Sequence, residues 1–227
     1  MAIKPRALVL RAAGLGDLLV VVPTLRGLRH RLPDYELVLA TPASLSPVVD
    51  LIGAVDAVVD TPDLRGLPWR GESPSVAVNL HGKGPESHEL LGALRPGRLV
   101  AYASPPRFPE GPRYVFDEYE VERWCRLVDA EFGGRCDRDD LDLLPPSSPP
   151  LVSAPVVIHP GAAHASRRWP AERFAVVARA LAADGYDVVV TGSSAERALA
   201  VRVAALAGLP DSSVLAGRTS LDGLLAL

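Results

Sequence analysis

The stretch Ala7-Leu8-Val9-Leu10-Arg11-Ala12-Ala13-Gly14-Leu15-Gly16-Asp17 begins as an apolar run and ends on two closely spaced glycines and an aspartate. Ala7 to Leu10 shows no polar alternation, the pattern of a central parallel strand covered on both faces. Gly14 and Gly16 then mark a tight turn, and Asp17 stands at the start of the helix that follows. Ligands of open parallel sheets bind beyond the carboxyl ends of the strands, so this turn faces a site.

A glycine turn after a first strand commonly cradles a dinucleotide pyrophosphate, with G-x-G-x-x-G followed by an acid about 20 residues on. Here the third glycine position is Leu19, and Glu36 falls at the start of the second strand, whereas the ribose-binding acid belongs at its end. Asp17 directly after Gly16 would also repel a phosphate approaching the helix N-terminus. These departures argue against a nicotinamide-dependent oxidoreductase. A carboxylate at that place suits a general base that takes a proton from a hydroxyl. The plainer alternative is a helix cap, an ordinary use of Asp.

Outward from this turn the chain alternates strand and helix, as a parallel sheet requires. Apolar residues Leu18, Val21, Val22, Leu25, Leu28 and Leu32 follow a helical stripe, with Pro23 predicting a kink or restart. Residues 35–40, 57–60, 75–80 and 98–103 read as strands, 45–52 and 87–94 as helices, and the proline-rich 61–74 and 105–112 as loops. Asn79-Leu80-His81-Gly82-Lys83-Gly84 forms a second glycine-rich turn at the same sheet edge. His81 and Lys83 there can bind a hydroxyl-rich or anionic substrate; a flexible loop with a solvated lysine is the bland reading. Residues 117–132 form an amphipathic helix, with Val121, Trp124, Leu127 and Val128 toward the core.

Leu141-Asp142-Leu143-Leu144-Pro145-Pro146-Ser147-Ser148-Pro149-Pro150-Leu151-Val152-Ser153-Ala154-Pro155 excludes helix and central strand by its prolines. It reads as a semi-rigid connector, 141–155, between a Rossmann-like domain over 1–140 and a partial one over 156–227. Beyond it Val156 to Ile158 is a short strand and His159-Pro160-Gly161-Ala162-Ala163 its turn. Pro170 then opens a helix that carries Phe174, Val177 and Leu181 on one face. Residues 186–191 read as a buried strand, Gly192-Ser193-Ser194 as its turn, 195–207 as a helix, 213–216 as a third strand, and Leu221 as the start of another helix.

The composition of the 227 residues, 48% hydrophobic and 22% charged, is that of a soluble globular protein. A formal net charge of -3 gives no footprint for nucleic acid. No apolar run approaches the roughly 20 residues that span a bilayer, and the N-terminus lacks a signal-peptide pattern. Cys125 and Cys136 fit neither a disulfide framework nor a zinc spacing, so they read as free thiols in a cytoplasmic protein.

Two strand-helix domains joined by a stiff connector are expected to leave a ligand cleft lined by the turns at the strand ends. The first domain offers Asp17; the second offers Arg167, Arg168, Thr191, Ser193 and Ser194. Arginines pair with phosphate oxygens by two parallel hydrogen bonds, and helix N-termini expected after Gly161 and Gly192 add N–H donors. An acid on one side and anion binders on the other suit transfer from a phosphate-bearing donor to a hydroxyl.

Gly14-Leu15-Gly16-Asp17, followed by His159-Pro160-Gly161-Ala162 and then Arg167-Arg168-Trp169-Pro170-Ala171-Glu172-Arg173-Phe174, resembles the heptosyltransferase-like glycosyltransferases, family nine. The resemblance implies the two-domain GT-B fold and inverting transfer from a nucleotide-diphosphate sugar, typically ADP-heptose, to a glycan or glycolipid hydroxyl, with no metal or other cofactor. It places Asp17 as general base. Arg167 matches a position where the family carries lysine, a donor-phosphate ligand, and the change alters reach and geometry. Glu196, after Thr191 and Gly192, matches the acid that contacts the nucleotide ribose, and Gly161 and Ala162 would lie beside the donor. Gly14, Gly16, His81 and Lys83 would fall on the acceptor side, and a glycolipid acceptor implies peripheral contact with the inner membrane face. The family continues into an Asp-Thr-Gly-x-x-His turn that holds the donor diphosphate. None follows before Leu227, so the expectation is a fragment with little transfer activity alone. A non-catalytic nucleotide-sugar binding protein is the alternative.

Overall fold

The computed structural model describes residues 4–162 and 164–227. The chain divides into two compact units, Met1–Leu144 and Pro145–Leu227.

In the first unit the opening apolar run forms β1 (Arg6–Leu10), with Ala7 to Leu10 wholly buried. Each buried leucine there contributes roughly 1.5–3 kcal/mol by leaving water. The glycine turn leads into α1 (Leu15–Leu19), and a separate α2 (Val22–Arg31) follows. The restart falls at Pro23, which sits in the first turn of α2, where a missing N–H breaks no helical bond. Then come β2 (Glu36–Thr41), α3 (Ser46–Ile52), β3 (Ala57–Asp60), β4 (Val76–Asn79), α4 (Glu86–Gly92), β5 (Arg98–Val100) and α5 (Glu120–Phe132). Gly53 ends α3 in the left-handed conformation (φ 69°), which a residue with a side chain resists.

All five strands are parallel, in the order β3-β2-β1-β4-β5. Successive strands run outward in one direction from β1 and in the other from β4. The order therefore reverses between β1 and β4, and the crevice beyond their carboxyl ends is the ligand position of such a sheet. β5 is shorter than the expected 98–103, because the Ala103 N–H bonds to Pro112 O (2.9 Å) and draws the chain off the ladder. α5 packs against α2 through buried Trp124, Cys125, Leu127 and Val128. Cys125 and Cys136 are free and buried, and the neighbouring Cys125 thiol together with burial pushes the Cys136 thiol above its ordinary value. A Cβ on Gly27 of α2 would overlap the Cys136 sulfur. Leu144 N–H bonds to Leu51 O (2.9 Å), so the start of the proline-rich stretch is fastened to this unit.

The second unit contains β6 (Val156–Ile158), α6 (Ala171–Ala183), β7 (Val188–Val190), α7 (Arg197–Ala207) and α8 (Leu221–Ala226). β6 and β7 pair in parallel. The strand expected over 213–216 is reduced to one parallel bridge between Val214 and Val190: a 3-10 turn, Asp211–Ser213, precedes it, and Arg218 N–H turns back to Leu215 O. The strand expected from Tyr186 begins only at Val188, because Tyr186 is exposed and its N–H bonds to Leu181 O at the end of α6.

The buried face of α6 is made of small residues. Its buried residues are Ala171, Ala175 and Ala178, with Phe174 and Leu181 packed at the margin, while Val177 is 39% exposed. Small side chains let α6 approach α7, whose buried residues are Ala200, Val203, Ala204 and Ala207. The alanine seam, not the larger residues, therefore sets the helix rotation.

Candidate active site

At the reversal between β1 and β4 the first side chain is the arginine that closes the buried strand. Arg11, directly after β1, is only 3% exposed. Its Nε donates to the Asp17 carbonyl oxygen (2.7 Å), Nη1 to Leu80 O (2.6 Å) and Nη2 to Asp17 Oδ1 (3.2 Å). Glu120 Oε2, at the head of α5, lies 3.6 Å from Nη2, and the guanidinium carbon is 5.2 Å from the Trp124 ring centroid. Burial weighs against the charge of Arg11 and lowers its pKa, while the Asp17 carboxylate opposes that shift. A buried cation stripped of these partners would be strongly unfavourable.

Asp17 itself does not cap α1. Gly14 is the N-cap and no side chain bonds there; Asp17 lies in the first turn, with its carboxylate 57% exposed and Oδ1 on Arg11. A Cβ on Gly14 would come no nearer than 3.7 Å to Asp17 Oδ2, and one on Gly16 would meet nothing within 4 Å. The two glycines thus leave open space beside the carboxylate.

The turn after β4 is shaped from beneath. Asn79 is buried; its Nδ2 donates to Gly82 O (3.2 Å), to Ser87 Oγ (2.9 Å) and to His88 Nδ1 (3.1 Å), and its Oδ1 accepts from His81 N–H (3.0 Å). His88 Nε2 donates to Tyr102 O (2.7 Å), which leaves Nδ1 as the acceptor. This fixed turn holds His81 half-buried, with Nδ1 buried and unpartnered. Burial first, then the Arg11 cation, lowers the His81 pKa, with Asp17 acting the other way. His81 is therefore neutral at pH 7. Lys83 is exposed, with its ammonium 4.8 Å from the Phe116 ring centroid. The fold thus brings Asp17, Arg11 and His81 into one electrostatic group, with Gly14, Gly16 and Lys83 at its rim.

In the second unit the turn after β7 is built around Glu196. Its Oε2 accepts from Ser193 N–H (2.8 Å) and Ser193 Oγ–H (2.7 Å), which holds the carboxyl below its usual range. A Cβ on Gly161 would overlap Glu196 Oε1, so Gly161, after β6, admits this carboxylate for want of a side chain. Buried Thr191 pairs its hydroxyl with His159 Nδ1 (3.0 Å), and Gly192 N–H and carbonyl lie between Thr191 and Ser193. Two expectations are corrected. The helix N-terminus expected just after Gly161 starts only at Ala171, and the Ser193 N–H at the turn into α7 is already taken by Glu196. Arg168 Nε bonds to Ala162 O (2.8 Å), whereas Arg167 is exposed at the end of a 3-10 turn, Ala165–Arg167. Ala163 lies outside the described residues. Among the described residues no three His, Cys, Asp or Glu side chains gather as a metal site, and no helix is long and apolar enough to cross a membrane.

Sequence reasoning missed Arg11 and Glu120. The signal for Arg11 was present, an arginine closing a fully buried strand; that for Glu120 was not, since its partner lies over a hundred residues away.

The sequence pattern of glycosyltransferase family 9 (heptosyltransferase) matches residues 117–227. No curated protein matches the sequence. Among solved structures, a family 9 glycosyl transferase from Veillonella parvula superposes with a TM-score of 0.73 at 18% identity, over 99% of this chain and 74% of that one. The E. coli ADP-heptose LPS heptosyltransferase II gives 0.71 at 21% identity, over 97% and 76%. E. coli heptosyltransferase WaaC, solved with ADP-2-deoxy-2-fluoro heptose, gives 0.70 at 15% identity, over 96% and 78%.

Proposed function

We propose that this chain, of glycosyltransferase family 9 over residues 117–227 and of the GT-B α/β fold, is an inverting enzyme that moves a heptose-like sugar. The donor is a nucleotide diphosphate sugar, ADP-heptose or a close analogue, and the acceptor is a hydroxyl of a glycan or glycolipid. The observation that carries the reading is the Asp17 carboxylate: open to substrate on one side, held by a buried arginine on the other, at the sheet's switch point. The ADP-heptose of E. coli heptosyltransferase II and the ADP-2-deoxy-2-fluoro heptose bound to WaaC support the choice of nucleotide sugar.

In this reading Asp17 takes the proton of the acceptor hydroxyl. The oxygen attacks the anomeric carbon from the face opposite the diphosphate, the bond to the leaving oxygen breaks, and its electrons pass to the phosphate. Arg167, exposed at the end of its 3-10 turn, binds the diphosphate and stabilises the growing charge. Glu196 Oε1, free of the Ser193 bonds, accepts from the nucleotide ribose beside Gly161 and Ala162, and the backbone of Thr191 and Gly192 lines the same place. Neutral His81 and the Lys83 ammonium orient the acceptor, with Gly14 and Gly16 giving it room. The protein works in the cytoplasm, and a glycolipid acceptor draws it to the inner membrane face.

Asp17→Asn is the test. Transfer from ADP-heptose should fall by about 100-fold or more, the scale of a lost general base, with ADP binding unchanged. Unchanged turnover would remove Asp17 as base, and ADP binding without any transfer by the wild type would favour the binding-protein alternative.

A further inference from the structure

We infer that Arg11 is a positioning residue that aims Asp17: it fixes the Asp17 carboxylate and the turn bearing His81 relative to each other as one rigid group. The inference deepens the proposed function and rests on its reading of Asp17 as base. Three facts carry it. Arg11 spends its Nε on the Asp17 main chain and its Nη2 on the Asp17 carboxylate, so one planar fork sets both the backbone and the side chain of that residue. Its Nη1 goes to Leu80 O, the residue before His81, so the same fork ties the turn after β1 to the turn after β4 across 69 positions of sequence. Its burial leaves the guanidinium no solvent to exchange partners with.

Asp17 has no other side-chain hydrogen bond among the described residues, and α1 is too short to hold it by helical structure alone. Without the fork the carboxylate would sample several rotamers, and a base displaced by an ångström loses much of its rate. Lysine cannot substitute. Its ammonium keeps the charge but is a single point on a flexible stem, whereas three acceptors lie in the plane of the fork. Glu120 and Trp124 line the remaining side of the guanidinium and hold it flat.

His81 serves as the reporter, because both Arg11 and Asp17 act on its titration. The experiment follows the His81 imidazole by NMR through pH 4.5–8.5, assigned with His81→Asn, in the wild type, Arg11→Met, Arg11→Lys and each combined with Asp17→Asn. Asp17→Asn should lower the His81 midpoint in the wild-type background. In Arg11→Met, and in Arg11→Lys should the methionine variant not fold, that lowering should shrink by about half or more, as coupling lost through a shared partner does. Equal effects of Asp17→Asn in every folded background would overturn the inference: Arg11 would then contribute only to folding. Turnover supplies the second reading. Arg11→Lys should reduce kcat about tenfold or more with the donor KM within about twofold, the mark of an interaction that matters in the transition state. Should Asp17→Asn leave turnover intact while the His81 effects remain unequal, the base assignment fails and the positioning of Asp17 by Arg11 stands.

Discussion

At Gly161 the space of a missing side chain is filled by the carboxylate of another residue. The overlap that alanine would create falls on the far end of Glu196, which can swing aside, so the cost is that of the two Ser193 bonds. Gly161→Ala and Glu196→Ala should each cost about 1 kcal/mol, the scale of a lost cap, and the double variant little more than either alone. Denaturant unfolding of the three variants checks this; additive costs would mean the two positions act apart. Glu196 also has a pH signature. Its carboxyl titrates lower in the folded protein, so its contribution is complete above the unfolded value of about 4.3 and fades as pH falls through the folded value. The stability gap between wild type and Glu196→Ala should therefore narrow below about pH 4. His81 behaves in the matching way for a base. Held neutral by burial and Arg11, it takes protons less readily folded than unfolded, so stability declines as pH drops below about 6.5. His81→Asn should flatten that decline between about pH 6.5 and 5, measured against the wild type.

At the scale of elements, periodicity located the strands and helices because burial on both faces of a parallel sheet leaves a continuous apolar run, as in β1 and β4. On α6 the stripe of Phe174, Val177 and Leu181 has helical spacing, but the neighbouring stripe of alanines permits closer approach to α7 and is the one buried. Two substitutions test this rotation. Val177→Gln should change stability by less than about 0.5 kcal/mol, as at an exposed position. Ala178→Leu, inserted into the seam, should destabilise by about 1–3 kcal/mol, read from the midpoint of urea unfolding. Were the two effects reversed, the helix would present its other face. The turn after β1 was legible to the same degree. Asp17, His81 and Arg11 all stand as polar residues after apolar strands, but the contacts of Arg11 with Leu80 and Glu120 lie beyond any local window of sequence.

At the scale of the whole molecule the two units differ in kind. The first has a five-stranded sheet with a core of leucine, valine and isoleucine; the second has two paired strands and a seam of alanines. They differ also in chemistry, for both cysteines of the chain belong to the first. Cys125 and Cys136 are both buried, the first in α5 and the second against Gly27 of α2. A thiol reagent can therefore reach them only when that corner of the protein opens. The pair is a built-in clock: the rate at which a disulfide dye is consumed counts openings of the first unit and nothing else. Added ADP should leave the clock running at its former pace if the nucleotide steadies the second unit alone, and slow it if steadiness gained in one unit is passed to the other.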